Sequence, residues 1–500
     1  MSNFRKFKEA PVQLPHDLMG PPQEPPKRSQ YRGRRNVQIP KLQTVKAAII
    51  SQLPFQDKIT TLPAQQEARS SSVPSNVKLQ SILQQQPKTP SKTGAYILQY
   101  HQSELSQHEK EEILQFSKIY YWGQKAQKPY NVQATNYGYD DQRGDYLGVI
   151  KDHVSYRYEL ISILGQGSFG KVFKAYDHAT STQVALKIVR NKKRFHRQGI
   201  VEVRLLETLR KNDSDGQSNS VIMTSSFYFR QHLIMVFEQL SINLYELLLK
   251  FDLRGLNTRL VRKFAVQTLN CLNYSFNLKI IHADIKPENI LIVAPDSSKC
   301  KIIDWGSGAF VNQTIYTYIQ SRFYRAPEVI LGLPYSIEID IWSLGCVFCE
   351  LLNGTPIFAG ENETDQLGKI CEVLGMPPQD MILKSPRKGE FFNAGKLRSG
   401  HRPSNNLKQR VKDQGLFSIV EKMLVWDPSK RAKPFEVMQS PWIQEGIREL
   451  EMRIQKELGK GAPVQEQVED KPIQQVIMDD GIGFKVVMKQ GVVELPKIGM

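Results

Sequence analysis

Ile281-His282-Ala283-Asp284-Ile285-Lys286-Pro287-Glu288-Asn289 is followed, fifteen residues after Asn289, by Asp304-Trp305-Gly306. A lone His-x-Asp carries little information. The ordered set of His282, Asp284, Lys286, Asn289 and Asp304 carries a great deal, because two acids, an ammonium and a carboxamide recur at fixed spacing downstream of a glycine-rich turn and a strand lysine.

Upstream, Gly165-Gln166-Gly167-Ser168-Phe169-Gly170-Lys171-Val172 places three glycines where backbone amides can lie close over phosphates with no Cβ in the way. A dinucleotide-binding turn uses similar glycines but needs a strand, a turn and then a helix. Here Tyr156–Leu164 reads as one strand and Lys171–Tyr176 alternates as a second, so the glycines close a hairpin. Val184-Ala185-Leu186-Lys187 then ends a strand in a lysine, and a lysine at a phosphate site must be oriented by an acid. Glu202 shares a helical stripe with Phe195, Leu206 and Leu209, and a carboxylate on an apolar face requires a partner. Lys187 is the expected one.

These motifs, in this order, resemble those of the protein kinases: a G-x-G-x-x-G-x-V loop, a V-A-x-K strand, a catalytic loop and a metal-binding Asp-x-Gly. The resemblance implies that Asp284 accepts the proton of the attacking hydroxyl, that Lys286 lies near the γ-phosphate of ATP, and that Lys187, oriented by Glu202, holds the α- and β-phosphates. It assigns Mg²⁺ to Asn289 and Asp304. Leu233–Glu246 is similar to the hinge of the dual-specificity tyrosine-regulated (DYRK) kinases, with Phe237 as gatekeeper, backbone groups of Glu238 and Leu240 facing adenine, and Asn243 near the ribose. The nucleotide site implied is Leu164, Gly165, Gln166, Gly167, Ser168, Phe169, Gly170, Val172, Ala185, Lys187, Phe237, Glu238, Leu240, Asn243, Glu288 and Leu291.

Tyr316-Thr317-Tyr318-Ile319-Gln320-Ser321-Arg322-Phe323-Tyr324-Arg325-Ala326-Pro327-Glu328 is similar to the DYRK activation segment. That likeness implies autophosphorylation of Tyr318, with Arg322 and Arg325 anchoring the phosphate, transfer to Ser or Thr of protein substrates followed by Pro, and a benefit from basic residues upstream. It also pairs Arg431 with Glu328 and sets Asp340 to brace the catalytic loop. Asn136–Asp141 resembles the DYRK homology box, and Tyr96–Gly123 the accessory region of class II members.

Three departures stand out. Ala283 replaces the arginine of the general motif, so no arginine beside Asp284 reads a phosphate. Trp305 replaces Phe, and its wider ring with an N–H donor is expected to hold Asp304 inward. The stretch 385–408 is shorter than in animal class II members. The rival to an active enzyme is a catalytically dead scaffold, which requires Lys187, Asp284, Asn289 or Asp304 to be missing.

Composition agrees with a large soluble chain: 500 residues, 40% hydrophobic, no apolar run approaching a membrane span, and no apolar region after Met1–Lys6. The cytoplasm is the expected location, with the nucleus as the alternative. The five cysteines are few and odd in number, which fits a reducing compartment, and Cys346-x-x-Cys349 reads as buried helix rather than a metal pair. The net charge of +17 is concentrated in residues 1–95, which hold 15 Lys and Arg against 5 Asp and Glu. Rich in Pro, Gln and Ser, this segment reads as a disordered basic tail. Its knot, Lys27-Arg28 and Arg32-Gly33-Arg34-Arg35, is a candidate import signal or nucleic-acid contact, although no binding module accompanies it and nucleic acid is not an expected partner.

The partition expected is 1–95 tail, 96–150 accessory region and homology box, 151–240 small lobe and hinge, 241–445 large lobe, and 446–500 C-terminal helix and tail. The whole is a monomeric, bilobal α+β fold with a small β-rich lobe and a larger helical one. Within the accessory region, Ser106-Gln107-His108-Glu109 is a capping box ahead of Ile113, Leu114, Phe116, Ile119 and Tyr120, which predicts one amphipathic helix running to Gly123.

Overall fold

A computed structural model describes residues 90–128, 135–213, 216–295, 297–313 and 317–458, and strand segments at 476–479, 485–489 and 492–494. The basic tail to residue 89, its knot and Tyr316 lie outside the described residues.

Helix α1 (Gly94–His101) and helix α2 (Gln107–Glu112) precede the sheet. The capping box forms: Glu109 N donates to Ser106 Oγ (3.3 Å) and Ser106 N to Glu109 Oε2 (2.8 Å). The long helix does not. One tight turn, Ile113–Gln115, follows α2, and the chain then extends to pair Ile119 with Lys92. Charge is the reason. Glu109 and Glu112 face inward, where Arg230 Nη2 donates to both (3.2 and 2.9 Å), so the inner face of α2 is ionic, and Leu114, expected on an apolar stripe, is 61% exposed.

Six strands form one antiparallel sheet: β1 (His153–Val154), β2 (Tyr158–Gln166), β3 (Gly170–Asp177), β4 (Thr182–Val189), β5 (Met223–Phe229) and β6 (His232–Glu238), in the order β1-β2-β3-β4-β6-β5. β2 and β3 are the glycine hairpin. Gly165 pairs with Val172, and Lys187 lies between Val172 and Met235 in register. Of the three loop glycines only Gly170 is demanded by the fold: its φ is +149°, and a Cβ would sit 2.1 Å from Ile188 O. Among the described residues, a Cβ on Gly165 or Gly167 meets nothing within 4 Å.

Helix α3 (Lys193–Asn212) crosses behind the sheet and buries Phe195, Glu202, Leu205, Leu206 and Leu209. Beyond the hinge come α4 (Leu244–Lys250), opened by an Asn243–Glu246 capping box, and α5 (Thr258–Asn277), capped by Asn257. Between α5 and the next long helix lie the short strands β7 (Ile280–Ile281), β8 (Ile290–Ile292), β9 (Cys300–Ile302) and β10 (Ala309–Phe310), which pair β7 with β10 and β8 with β9. Then follow α6 (Glu338–Asn353), α7 (Glu363–Leu374), α8 (Gln414–Met423) and α9 (Pro441–Leu458). Cys346 and Cys349 are buried in α6, as read from the sequence. Arg431 pairs with Glu328 at 2.7 and 3.0 Å in the core of this lobe. The architecture is the bilobal α+β arrangement expected. A three-stranded antiparallel sheet (476–479, 485–489, 492–494) forms in the C-terminal segment.

Candidate active site

The catalytic loop is held from beneath. Asp340, from the first turn of α6, accepts His282 N (2.7 Å) and Ala283 N (2.9 Å). Ala283 is buried with φ +62°, a left-handed conformation that costs a non-glycine residue about 1–2 kcal/mol and persists where surroundings compel it. Asp284 N donates to His282 Nδ1 (3.2 Å), which places the ring proton on Nε2, where it is given to Ile303 O (2.9 Å). Burial holds the His282 pKa below its ordinary value.

The Asp284 carboxylate is fixed on both oxygens. Oδ2 accepts Lys286 Nζ (2.7 Å) and Asn289 Nδ2 (3.2 Å); Oδ1 accepts Ser321 Oγ (2.8 Å) and Ser321 N (3.2 Å). Lys286 Nζ also reaches Ser321 Oγ (3.1 Å). Ser321 went unread in the sequence because it lies 37 residues from Asp284 and carries no distinctive chemistry alone.

Lys187 Nζ donates to Glu202 Oε1 (2.6 Å), the partner expected, and to Asp304 Oδ1 (2.7 Å). One ammonium therefore serves two carboxylates. Burial pushes Asp304 up, but the Lys187 charge and hydrogen bond outweigh it and hold the carboxyl down to about 2. Glu202 is raised, since its burial outweighs the pull of Lys187 and Asp304 adds repulsion. Lys187 is raised despite burial by the two carboxylates. Asp304 is left-handed (φ +59°), which turns its carboxylate back toward Lys187. Trp305 is fully buried and packs edge-on to His282 at 4.7 Å, but its Nε1–H has no partner among the described residues. The inward hold expected of that N–H comes instead from Lys187, which donates to Asp304 Oδ1.

A cavity of about 510 Å³ opens between the lobes above these groups. Leu164, Gly165, Val172, Ala185, Lys187, Phe237, Glu238, Leu240, Asn243, Glu288 and Leu291 line it, together with Glu202 and Asp304. Gln166, Gly167, Ser168, Phe169 and Gly170 do not: they form the hairpin tip, where Phe169 packs on Phe195. Val221, Gln239, Ser241, Ile242, Glu246 and Ile303 line it without having been singled out, the apolar ones being indistinguishable in sequence from core. The Glu238 carboxylate is turned outward, accepting Ile222 N (2.7 Å) and Lys301 Nζ (2.6 Å), so position 238 offers the cavity backbone.

In the activation segment, Tyr318 is half-exposed under the Arg325 guanidinium, 4.1 Å from ring centroid to Cζ. Neither arginine stands free. Arg325 donates to Ile319 O, Gln320 O and Glu363, and Arg322 to Gly360 O and Glu361 O.

A family model described as protein kinase domain matches residues 158–443. Dual specificity tyrosine-phosphorylation-regulated kinase 4 of Homo sapiens is 41% identical over 403 residues, which cover 76% of this chain and 76% of that one. Dual specificity tyrosine-phosphorylation-regulated kinase 3 of Macaca fascicularis is 42% identical over 428 residues, covering 80% and 75%. With dual specificity tyrosine-phosphorylation-regulated kinase 2 of Drosophila melanogaster the identity is 43% over 377 residues, 72% of this chain and 51% of the fly protein.

Proposed function

The chain belongs to the protein kinases, and within them to the dual-specificity tyrosine-phosphorylation-regulated family, and on that premise we propose that it moves the γ-phosphoryl group of ATP to Ser or Thr followed by Pro, with Asp284 as the base, and phosphorylates its own Tyr318. The observation that carries the reading is the Asp284 carboxylate, locked by Lys286, Asn289 and Ser321 at the foot of a cavity whose lysine is braced by Glu202. The scaffold alternative needs one of Lys187, Asp284, Asn289 or Asp304 to be absent, and none is.

The cavity suits ATP. Gly165 and Gly167 have no neighbour that forbids a side chain, so the fold itself gives no reason for glycine there, whereas phosphates approached by backbone amides do. Mg²⁺ suits the remaining oxygens. Asn289 spends its amide N–H groups on Asp284, and Asp304 meets Lys187 through Oδ1, which leaves Asn289 Oδ1 and Asp304 Oδ2 as hard ligands in a site where carboxylates outnumber ammonium groups. Asn289 and Asp304 would hold the ion there, and it would supply positive charge against that of the phosphates.

The residues act by position. Asp284 orients the substrate hydroxyl and takes its proton; Lys286, tethered to Asp284 and Ser321, carries positive charge to the transferring group; Lys187 fixes the α- and β-phosphates. Glu246 and Glu288 both line the cavity and add negative charge there, which favours basic residues upstream of the target. The Pro preference has a backbone origin. Gln320 is left-handed (φ +63°), and its carbonyl is consumed by Arg325 Nη2 (2.8 Å) and Nε (3.3 Å). The platform therefore has no acceptor there for an N–H of the residue after the target, and Pro, lacking that N–H, loses nothing.

Incubation of the purified chain with Mg·ATP and Ser-Pro, Ser-Ala and Ser-Asp peptides tests this. Phosphate should appear on the Ser-Pro peptide foremost; transfer favouring acidic residues without Pro would overturn the substrate assignment. Expression of wild type and Asp284→Asn in bacteria should give phosphotyrosine at 318 in the wild type alone.

A further inference from the structure

The segment 398–406 runs along α7, where Ser404 N donates to Cys371 O (3.0 Å) and Asn406 N to Val373 O (3.0 Å). Between these ties and the helix stands His401. Its Nδ1 lies 2.6 Å from Glu372 Oε1 and its Nε2 2.6 Å from Asp365 Oδ1. Carboxylate oxygens accept and do not donate, so both ring nitrogens carry protons and the imidazole is a cation. Gly368 leaves the ring its place, since a Cβ there would run into His401 Cδ2. Asp365 has a second duty. Its Oδ2 accepts Glu361 N (2.8 Å), and Oε1 of the adjoining Gln366 accepts Gly360 N (3.0 Å). Gly360 and Glu361 turn their carbonyls the other way, to Arg322 of the activation segment, whose Nη1 donates to Gly360 O (3.3 Å) and Glu361 O (2.6 Å). Among the described residues no carboxylate pairs with Arg322 and its buried Nε has no partner, so these two carbonyls seat it. Arg322 directly follows Ser321, which holds Asp284 Oδ1 through Oγ and N. Polar contacts thus run without a break from a histidine of the outer loop to the base.

We propose that His401 is a positioning residue for the transfer: as a cation it fixes Asp365, Asp365 fixes Gly360 and Glu361, and these seat Arg322, so that Ser321 is held on Asp284 while His401 is protonated. A neutral imidazole has one N–H and can serve only one of the two carboxylates; the other then faces a lone pair and turns away. The ionisable groups that face the ring are Asp365 and Glu372, both from α7, while Lys369, one turn beyond Asp365, acts on Asp365. The hydrogen bonds to Glu372 and Asp365 raise the His401 pKa above its ordinary value, against burial, which lowers it. A folded value above the unfolded one means that the clamp is complete below about pH 6.5 and is lost as pH rises through the raised value. The inference rests on the kinase reading.

The test follows kcat/KM on a Ser-Pro peptide, and KM for ATP, from pH 6 to 9 in the full chain with Mg·ATP, for wild type, His401→Gln, His401→Lys, Asp365→Asn and Glu372→Gln. Wild type should lose at least about 5-fold in kcat/KM on an alkaline limb, and His401→Gln should sit near that lower plateau already at pH 6.5, with no limb. His401→Lys, whose ammonium ordinarily titrates near about 10.4, should keep the wild-type rate of pH 6.5 across the range, a rescue that a merely structural role would not give. Asp365→Asn should match His401→Gln. Glu372→Gln lies on the branch that leads away from Glu361, so it should stay within about 2-fold of wild type at pH 6.5 and move the limb to lower pH. KM for ATP should change less than about 2-fold throughout, because none of these residues lines the cavity. A limb that survives in His401→Gln or His401→Lys, or a His401→Gln as active as wild type at pH 6.5, overturns the inference. If Glu372→Gln falls as far as Asp365→Asn, His401 merely ties the segment 398–406 to α7, and the inference fails as well. Should His401→Gln not fold, the wild-type limb and its shift in Glu372→Gln decide, and a wild type without the limb overturns the inference. All these outcomes leave the kinase reading in place; a wild type that transfers nothing to the peptide at any pH overturns that reading and this inference together.

Discussion

At the scale of single residues, the site separates side chains that act on the hydroxyl from those that hold the nucleotide. Asp284 does not line the ATP cavity, so Asp284→Asn should lower kcat by at least about 10³-fold while nucleotide affinity, followed by fluorescence titration, changes less than about 3-fold. A nucleotide affinity that falls as steeply as kcat would place Asp284 in the nucleotide site instead. The glycines make a second pair of opposites. Gly170→Ala forces a Cβ against Ile188 O at a φ that L-residues rarely adopt, and it should lower the melting temperature by several degrees, on the order of 2 kcal/mol or more. Gly167→Ala meets no atom of the described residues within 4 Å and should melt like wild type, yet raise KM for ATP. The motif alone does not distinguish these glycines, because spacing reports that a loop is glycine-rich and says nothing of which glycine faces a strand and which faces a ligand.

At the scale of elements, the accessory segment was legible in its start and misread in its length. Ser106 and Glu109 announce a helix N-terminus through local chemistry, whereas its end depends on Arg230, 118 residues away from Glu112 and invisible to any local pattern. Catalytic residues are the opposite case: chemistry confines His282, Asp284, Lys286 and Asn289 to one loop, so their spacing survives in sequence, while Ser321 and Glu363 reach the same region through folding alone. The buried cluster of Glu109, Glu112, His153, Lys128 and Arg230 docks the accessory segment on the sheet. Removing one member leaves charges buried without partners, so Arg230→Ala should cost about 3–5 kcal/mol and release the segment. Acid should do the same at a definite point. Burial pushes Glu109 up, but the hydrogen bond and charge of His153, with Lys128 and Arg230, hold it well below the ordinary carboxylate range; Glu112 is likewise lowered, burial being outweighed by Arg230. Folded values below unfolded ones mean that the unfolded chain binds more protons in acid, so this stabilisation is complete above about pH 4.5 and is lost as pH falls through the depressed values. Hydrogen exchange across residues 94–122 should therefore stay slow from pH 7 to 5 and quicken below about pH 4. Quickening already between pH 7 and 6 would show that a group other than these two carboxylates governs docking.

At the scale of the whole molecule, the two lobes are joined behind the cavity by a charge cluster that serves both catalysis and cohesion. Lys187 belongs to β4 of the small lobe, Glu202 to α3, and Asp304 to the segment after β9 of the large one, while Gln198 of α3 donates to Gly306 O (2.8 Å) across the same seam. The Glu202 side chain is 3% exposed and that of Asp304 39%, so Asp304 can be solvated when Lys187 is removed and Glu202 cannot. Lys187→Met should thus cause more than a loss of phosphate binding. It buries a methionine against a carboxylate that has lost its ion-pair partner, and a buried ion pair broken on one side costs about 3–5 kcal/mol. Replacing the whole pair by apolar groups of similar volume is often neutral by comparison, because no charge is left behind. Lys187→Met/Glu202→Leu should consequently melt closer to wild type than Lys187→Met does, even though two catalytic side chains rather than one are missing. Activity should not follow stability: both variants should be dead to within the detection of a Ser-Pro peptide assay, since the ammonium that fixes the α- and β-phosphates is absent from each. The comparison needs two measurements on the same samples, thermal unfolding without nucleotide and peptide turnover with it. A double variant that melts below Lys187→Met would show that Glu202 is stabilised by something other than Lys187, and that the seam between the lobes is held by packing rather than by this pair.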